Sequence, residues 1–96
     1  MTTSHTSAVC YRRRTDLLET VLDSELLLLD TQSMNVIGLN PTCSAIWRQL
    51  GDARTVMEIV KVLLVEFEVD SARCRTEVER VLQNLAANGL VVQEAV

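Results

Sequence analysis

Two helix-start signatures constrain this chain more than anything else in it: Asn40-Pro41 and Thr55-Val56-Met57-Glu58. Asn is a strong N-cap, and Pro suits the first helical position, where its missing N–H is not needed. The second signature is a capping box, in which the Thr hydroxyl and the Glu carboxylate satisfy N–H groups left open at a helix start. Behind the first, Cys43, Ile46, Trp47 and Leu50 recur at the spacing of one helical face, and Gly51 can end the helix. Behind the second, Val56, Ile59, Val60, Leu63, Leu64 and Phe67 do the same. A third helix starts at Asp70 or Ser71, carries Cys74, Val78, Val81, Leu82 and Leu85 on its apolar stripe, and closes at Asn88-Gly89.

Upstream of Asn40 the period changes. Leu17–Leu22, Glu25–Asp30 and Met34–Leu39 are short apolar runs separated by turn residues, Asp23-Ser24 and Thr31-Gln32-Ser33. Runs this brief, bounded by turns, read as strands, although Glu19 and the flanking Leu residues make helix a competitor for Leu17–Leu22. Gly38 inside the last marks a bulge or a close approach by another backbone. Leu90-Val91-Val92 is either a short final strand or a packing tail. The expected architecture is a compact α+β domain, three antiparallel strands followed by three helices, open to a winged helix-turn-helix arrangement. Residues 1–8 read as a disordered tail and 9–96 as the domain. With one Trp, one Tyr and one Phe in a chain that is 48% hydrophobic, the core must be Leu, Val and Ile, anchored by Trp47 and Phe67.

Several classes of chemistry find no residues here. The single histidine, His5, stands in the tail, so no Ser–His or Cys–His arrangement exists within the fold, and an enzyme acting alone is not expected. The carboxylates occupy caps, turns and the polar face of the last helix. Three scattered cysteines (Cys10, Cys43, Cys74) without a C-x-x-C pair give no metal framework, and no cofactor motif is present. Cys43 and Cys74 fall on apolar helical positions, where free Cys behaves as a small hydrophobe. Unpaired cysteines, the lack of a signal h-region and the lack of a long apolar span point to a soluble cytoplasmic protein.

Two surfaces remain for binding. One is the edge of Met34–Leu39, whose backbone groups could pair with a second extended chain. The other is the polar side of the last helix. There Arg73, Arg75 and Arg80 alternate with Glu77 and Glu79, the pattern of a solvated helix with local charge pairs. The basic run Arg12-Arg13-Arg14 reads as a solvated stretch beside the tail. A net charge of −4 argues against nucleic acid as the partner.

The ordered set Glu25-Leu26-Leu27-Leu28-Leu29-Asp30, Leu39-Asn40-Pro41-Thr42, Ile46-Trp47, Arg54-Thr55-Val56-Met57-Glu58-Ile59-Val60, Val69-Asp70 and Gly89-Leu90-Val91 resembles the PqqD-like family. The resemblance implies a winged helix-turn-helix that recognises the leader of a ribosomally made, post-translationally modified peptide. It implies that the leader docks as an added strand on the third strand, in the cleft beside the third helix, for presentation to a radical-SAM enzyme or a leader peptidase. Carried onto this chain, the peptide-binding residues are Met34, Asn35, Val36, Ile37, Gly38, Arg75, Val78, Glu79 and Leu82. The segment Asp30-Thr31-Gln32-Ser33-Met34 lacks the proline and glutamate that the quinone-pathway members carry there, which favours another modified peptide, such as a lasso peptide. The alternative is a DNA-binding transcription regulator on the same fold; a third possibility is a homodimer burying the Met34–Leu39 edges.

Overall fold

In the computed structural model, which describes residues 9–23 and 25–95, nine elements follow in order: β1 (Val9–Arg13), β2 (Leu18–Leu22), β3 (Glu25–Asp30), β4 (Asn35–Leu39), α1 (Pro41–Gln49), β5 (Arg54–Thr55), α2 (Val56–Glu66), α3 (Ser71–Ala87) and β6 (Val91–Ala95). The expected tail, with His5, and Ser24 of the expected turn lie outside the described residues. The α+β class, the antiparallel meander β2-β3-β4 and the three helices are as the sequence predicts. All three N-caps form. The Asn40 side chain accepts from the Cys43 N–H, Thr55 and Glu58 make both bonds of the capping box, and Asp70 accepts from the Arg73 N–H.

A second sheet was not anticipated. β1 lies between β5 and β6, antiparallel to both, with Arg13 opposite Val91 and Cys10 opposite Thr55. The basic run is therefore part of a strand and its continuation, not a solvated stretch. Each guanidinium has a carboxylate partner: Arg12 with Glu94, Arg13 with Glu19, and Arg14 with both Asp16 and Asp30. Arg13 also lies over the Trp47 ring, 5.8 Å from its centre. Arg14 joins three parts of the fold, because the nitrogen that reaches Asp30 also donates to the Gly89 carbonyl after α3.

These contacts make a pH prediction. The Arg14 guanidinium holds the Asp16 carboxyl below the usual carboxylate range. Asp30 is lowered first by the Gln32 backbone N–H and then by Arg14. A carboxyl with a depressed folded-state pKa contributes stability above its unfolded pKa and loses it as pH falls through the folded value. The unfolding midpoint should therefore drop at acid pH, below the ordinary carboxylate range, and Arg14→Gln should flatten that drop. Thermal melts at stepped pH values check this, and superimposable profiles would contradict it.

The core comprises Leu26 and Leu28 from β3, Leu39 from β4, Ile46, Trp47 and Leu50 from α1, and the buried faces of α2 and α3. Phe67 departs from expectation: it is 46% exposed at the C-cap of α2, where the backbone has already turned to the extended conformation. Cys74 is buried and Cys43 packs against the core, and burial pushes both thiols up, as suits small hydrophobes rather than nucleophiles. No helix among the described residues is long and apolar enough to cross a membrane.

Candidate functional site

The β3–β4 hairpin fixes the register of the predicted edge. Leu28 pairs with Ile37 and Leu26 with Leu39, while Leu29 pairs with Val36 and Leu27 with Gly38. Opposite residues in an antiparallel pair share a face, so the buried Leu26 and Leu28 place Ile37 and Leu39 on the helix side. Val36 and Gly38 point to the other face. The pairing runs without interruption to Asp30 opposite Asn35, so Gly38 marks no bulge. A Cβ built on Gly38 would meet Leu27 at 3.5 Å, ordinary van der Waals contact on the outer face. The glycine is not what opens the edge.

Met34 stands outside the strand. Its φ of 61° is left-handed, and its N–H donates to the Asp30 carbonyl within the turn, geometry that no ladder residue can adopt. Met34→Gly should stabilise the domain by about 1 kcal/mol, because left-handed backbone is unfavourable for a residue with a Cβ. The exposed side chain loses little packing. Urea denaturation checks this; a loss of stability would contradict it.

Among the described residues β4 pairs only with β3, and its other edge is open. Successive residues of a strand direct their backbone groups to alternate sides, so this edge presents N–H and C=O groups without strand partners. Two points fix α3 in the neighbourhood of β4. Thr42, three residues past the end of β4, lines one recess with Glu77 and Val78 of α3. At the other end, Arg14 ties Gly89, just past α3, to Asp30, which pairs with the first residue of β4. From Glu77 to Ala87 a helix rises about 15 Å, and five strand residues span about 17 Å. The second half of α3 is thus tied near both ends of β4, in the opposite chain direction and over a matching length.

This arrangement redistributes the predicted helix residues. Val78 and Leu82 have no exposed surface; they are core. Val78 keeps a role only as part of an apolar recess of about 240 Å³, lined by Thr42, Leu63, Phe67, Val69 and Cys74 and flanked by Arg73 and Glu77. Arg75 and Glu79 form an exposed ion pair at 3.8 Å. Each is two residues from Glu77, hence roughly 160° around the helix from it, on the flank turned away from Thr42. The flank beside β4 carries Arg73, Glu77 and Arg80, with Asn84 one turn further on. Arg80 pairs with Glu77 through a short bond that lowers the Glu77 carboxyl. Sequence reasoning assigned these charges to the wet side of α3, but the choice between its two flanks depends on where α1 lies. Phe67 and Thr42 were missed because the recess forms only when all three helices meet. No three His, Cys, Asp or Glu side chains come together as a metal site among the described residues.

The fold and this edge define a small α+β recognition-type module, with an open strand beside a helix as its uncommitted feature. The chain belongs to the PqqD family: the model described as Coenzyme PQQ synthesis protein D (PqqD) matches residues 25–91. A comparison with curated proteins finds no match. Among solved structures, TbiB1 in complex with the TbiA(beta) leader peptide superposes with a TM-score of 0.74 at 26% identity, over 83% of this chain and 93% of that one. Lasso peptide synthetase B1 complexed with the leader peptide gives 0.75 at 24% identity, over 85% and 96%. The PqqD truncation of Methylobacterium extorquens PqqCD, described as a stand-alone recognition element for ribosomally synthesized and post-translationally modified peptides, gives 0.72 at 16% identity, over 86% and 88%. The last two likenesses, below 25% identity, concern the fold.

Proposed function

We propose that this domain binds the leader of a ribosomally made precursor peptide as a fourth strand on β4 and presents it to a modifying enzyme or a leader peptidase. The observation that carries the reading is the open edge of β4, with α3 tied near both of its ends. Backbone pairing along Asn35–Ile37 supplies affinity that tolerates sequence change, and side chains entering the cleft supply selectivity. Ile37 and the Glu77–Arg80 flank form the two walls, and the apolar recess at Phe67 takes a hydrophobic leader residue. The likeness at 26% identity to a complex with a leader peptide supports the same reading. The domain acts by binding alone, and its free thiols suit the reducing cytoplasm where precursors are made.

The test is a nitrogen–proton NMR titration with the leader of a precursor encoded beside this chain. Saturable shifts centred on residues 35–39 and on the flank of α3 carrying Glu77, Arg80 and Asn84 are expected. Shifts confined to Arg75 and Glu79, or salt-sensitive shifts with duplex DNA alone, would count against the site.

A further inference from the structure

Arg14 carries more of the fold than its place just past β1 suggests. Its backbone N–H donates to the Leu90 carbonyl at 3.0 Å, which anchors it beside the end of α3. Its guanidinium forks onto Asp16, with Nε on Oδ1 at 2.9 Å and Nη2 on Oδ2 at 2.6 Å. The remaining nitrogen, Nη1, divides between Asp30 Oδ2 at 3.2 Å and the Gly89 carbonyl at 3.3 Å. Four of the five N–H donors of an arginine are thus engaged inside the protein. Asp30 is committed as well: its other oxygen accepts from the Gln32 N–H and shapes the β3–β4 turn. Alternation along β3 puts the Asp30 side chain on the helix side, with the buried Leu26 and Leu28.

The parts joined by this link rest on different neighbours. The hairpin packs on α1, whereas α3 packs chiefly on α2 and β6. No other hydrogen bond or ion pair among the described residues connects the hairpin with α3 or with the residues just after it. Helix α3 has no basic residue in its last turn, so the cation that suits a helix C-terminus comes from Arg14.

We propose that Arg14 is a positioning residue for leader recognition: it sets how far the turn end of the hairpin stands from the end of α3, without touching the peptide. The inference rests on strand addition at β4. A leader paired with β4 and gripped from α3 meets two surfaces at once. It binds best when their separation is already set, because ordering them on binding subtracts from affinity. Arg14 acts through Asp30, whose pairing partner is Asn35, the first residue of the receiving strand.

The experiment compares the native domain with Arg14→Gln, Asp30→Asn, the two combined, and Ile59→Val. Asp30→Asn keeps an acceptor for the turn and removes the charge. Ile59 is fully buried in α2, and its truncation weakens the core away from the link. Residual dipolar couplings of the free domain give the orientation of the hairpin relative to α3. Anisotropy of a labelled leader, from the precursor encoded beside this chain, gives affinity well below every unfolding midpoint. Arg14→Gln and Asp30→Asn should each tilt the hairpin and weaken leader binding at least about fivefold; the combination should match the weaker single variant within about twofold, since both break one link. Ile59→Val should bind as the native domain does, a separation that loss of stability alone does not produce. Native couplings or native affinity in Arg14→Gln overturn the proposal. So do additive losses in the combined variant, or an equal loss in Ile59→Val. A native domain that fails to bind the leader removes the peptide-binding reading instead, and the couplings still decide whether Arg14 holds the hairpin.

Discussion

Trp47→Ala should lower the unfolding midpoint by about 15 °C or more, the largest effect expected of any single truncation. Trp47 has no exposed surface and sits where α1 meets both β3 and the Arg13 side chain. Truncating a buried Trp costs about 3–5 kcal/mol, because transfer energy is lost and the cavity closes only in part. A domain of this size is stable by about 5–14 kcal/mol, and each kcal/mol moves its midpoint by about 4–8 °C. The substitution also strips the Arg13 guanidinium of its aromatic platform, a contact worth about 0.5–2 kcal/mol depending on desolvation. Trp47→Phe separates the contributions. The indole N–H finds no acceptor among the described residues, so removing it forfeits no hydrogen bond, and the smaller ring still lies under Arg13. That variant should lose less than half of what the alanine loses. Calorimetry on the three proteins decides; equal losses would mean that a phenyl ring recovers neither the burial nor the stacking of the indole.

Placing proline at Val36 or Ile37 should produce two opposite failures. Adjacent strand residues point their N–H groups to opposite sides, so one of these two positions serves the β3 ladder and the other the open edge. Proline removes the donor in either case. At the ladder position it breaks the pairing of Leu28 with Ile37 or of Leu29 with Val36 and destabilises the meander, by about 3 kcal/mol if interior-helix costs are a guide. At the edge position it leaves the fold intact and removes a donor that an added strand needs. The folded variant of the pair should therefore lose leader affinity by at least about tenfold, roughly one lost backbone hydrogen bond. Circular dichroism identifies which variant remains folded, and titration with the leader gives its affinity. A folded proline variant that binds as tightly as the native domain would exclude strand addition at β4 and leave the fold assignment untouched.

The two experiments address different links of one argument, from core to stability and from edge to binding. They share a dependence on hairpin register. Ile37 packs against the core through its pairing with Leu28, and the same pairing turns Val36 outward. A slip by one residue would exchange the two.

Much of the fold was legible because it is written locally. Asn40, Thr55 with Glu58, and Asp70 are caps whose bonds reach three residues along the chain, and the apolar stripes of the helices repeat within single elements. The meander was legible for the same reason, since its strands follow one another with short turns. Three things were not. β1 pairs with β6 across nearly the whole chain, as the Arg12–Glu94 contact shows, and nothing near Arg12 announces a partner that distant. Met34 looked like strand because its side chain is apolar, whereas its backbone is decided by how the hairpin closes onto Asp30. The family resemblance put Arg75 and Glu79 on the binding side of α3, whereas Glu77 is the residue that meets Thr42 of α1, because helical periodicity defines the buried stripe and leaves both flanks equivalent until α1 is placed.

The sequence alone determined the helices, their starts, the meander and the family to which they belong, since each depends on residues within a few positions of one another. Only the tertiary structure decided the second sheet, the register that turns Ile37 inward and Val36 outward, and the side of α3 that meets the start of α1, because those depend on contacts between segments that meet only when the chain has folded.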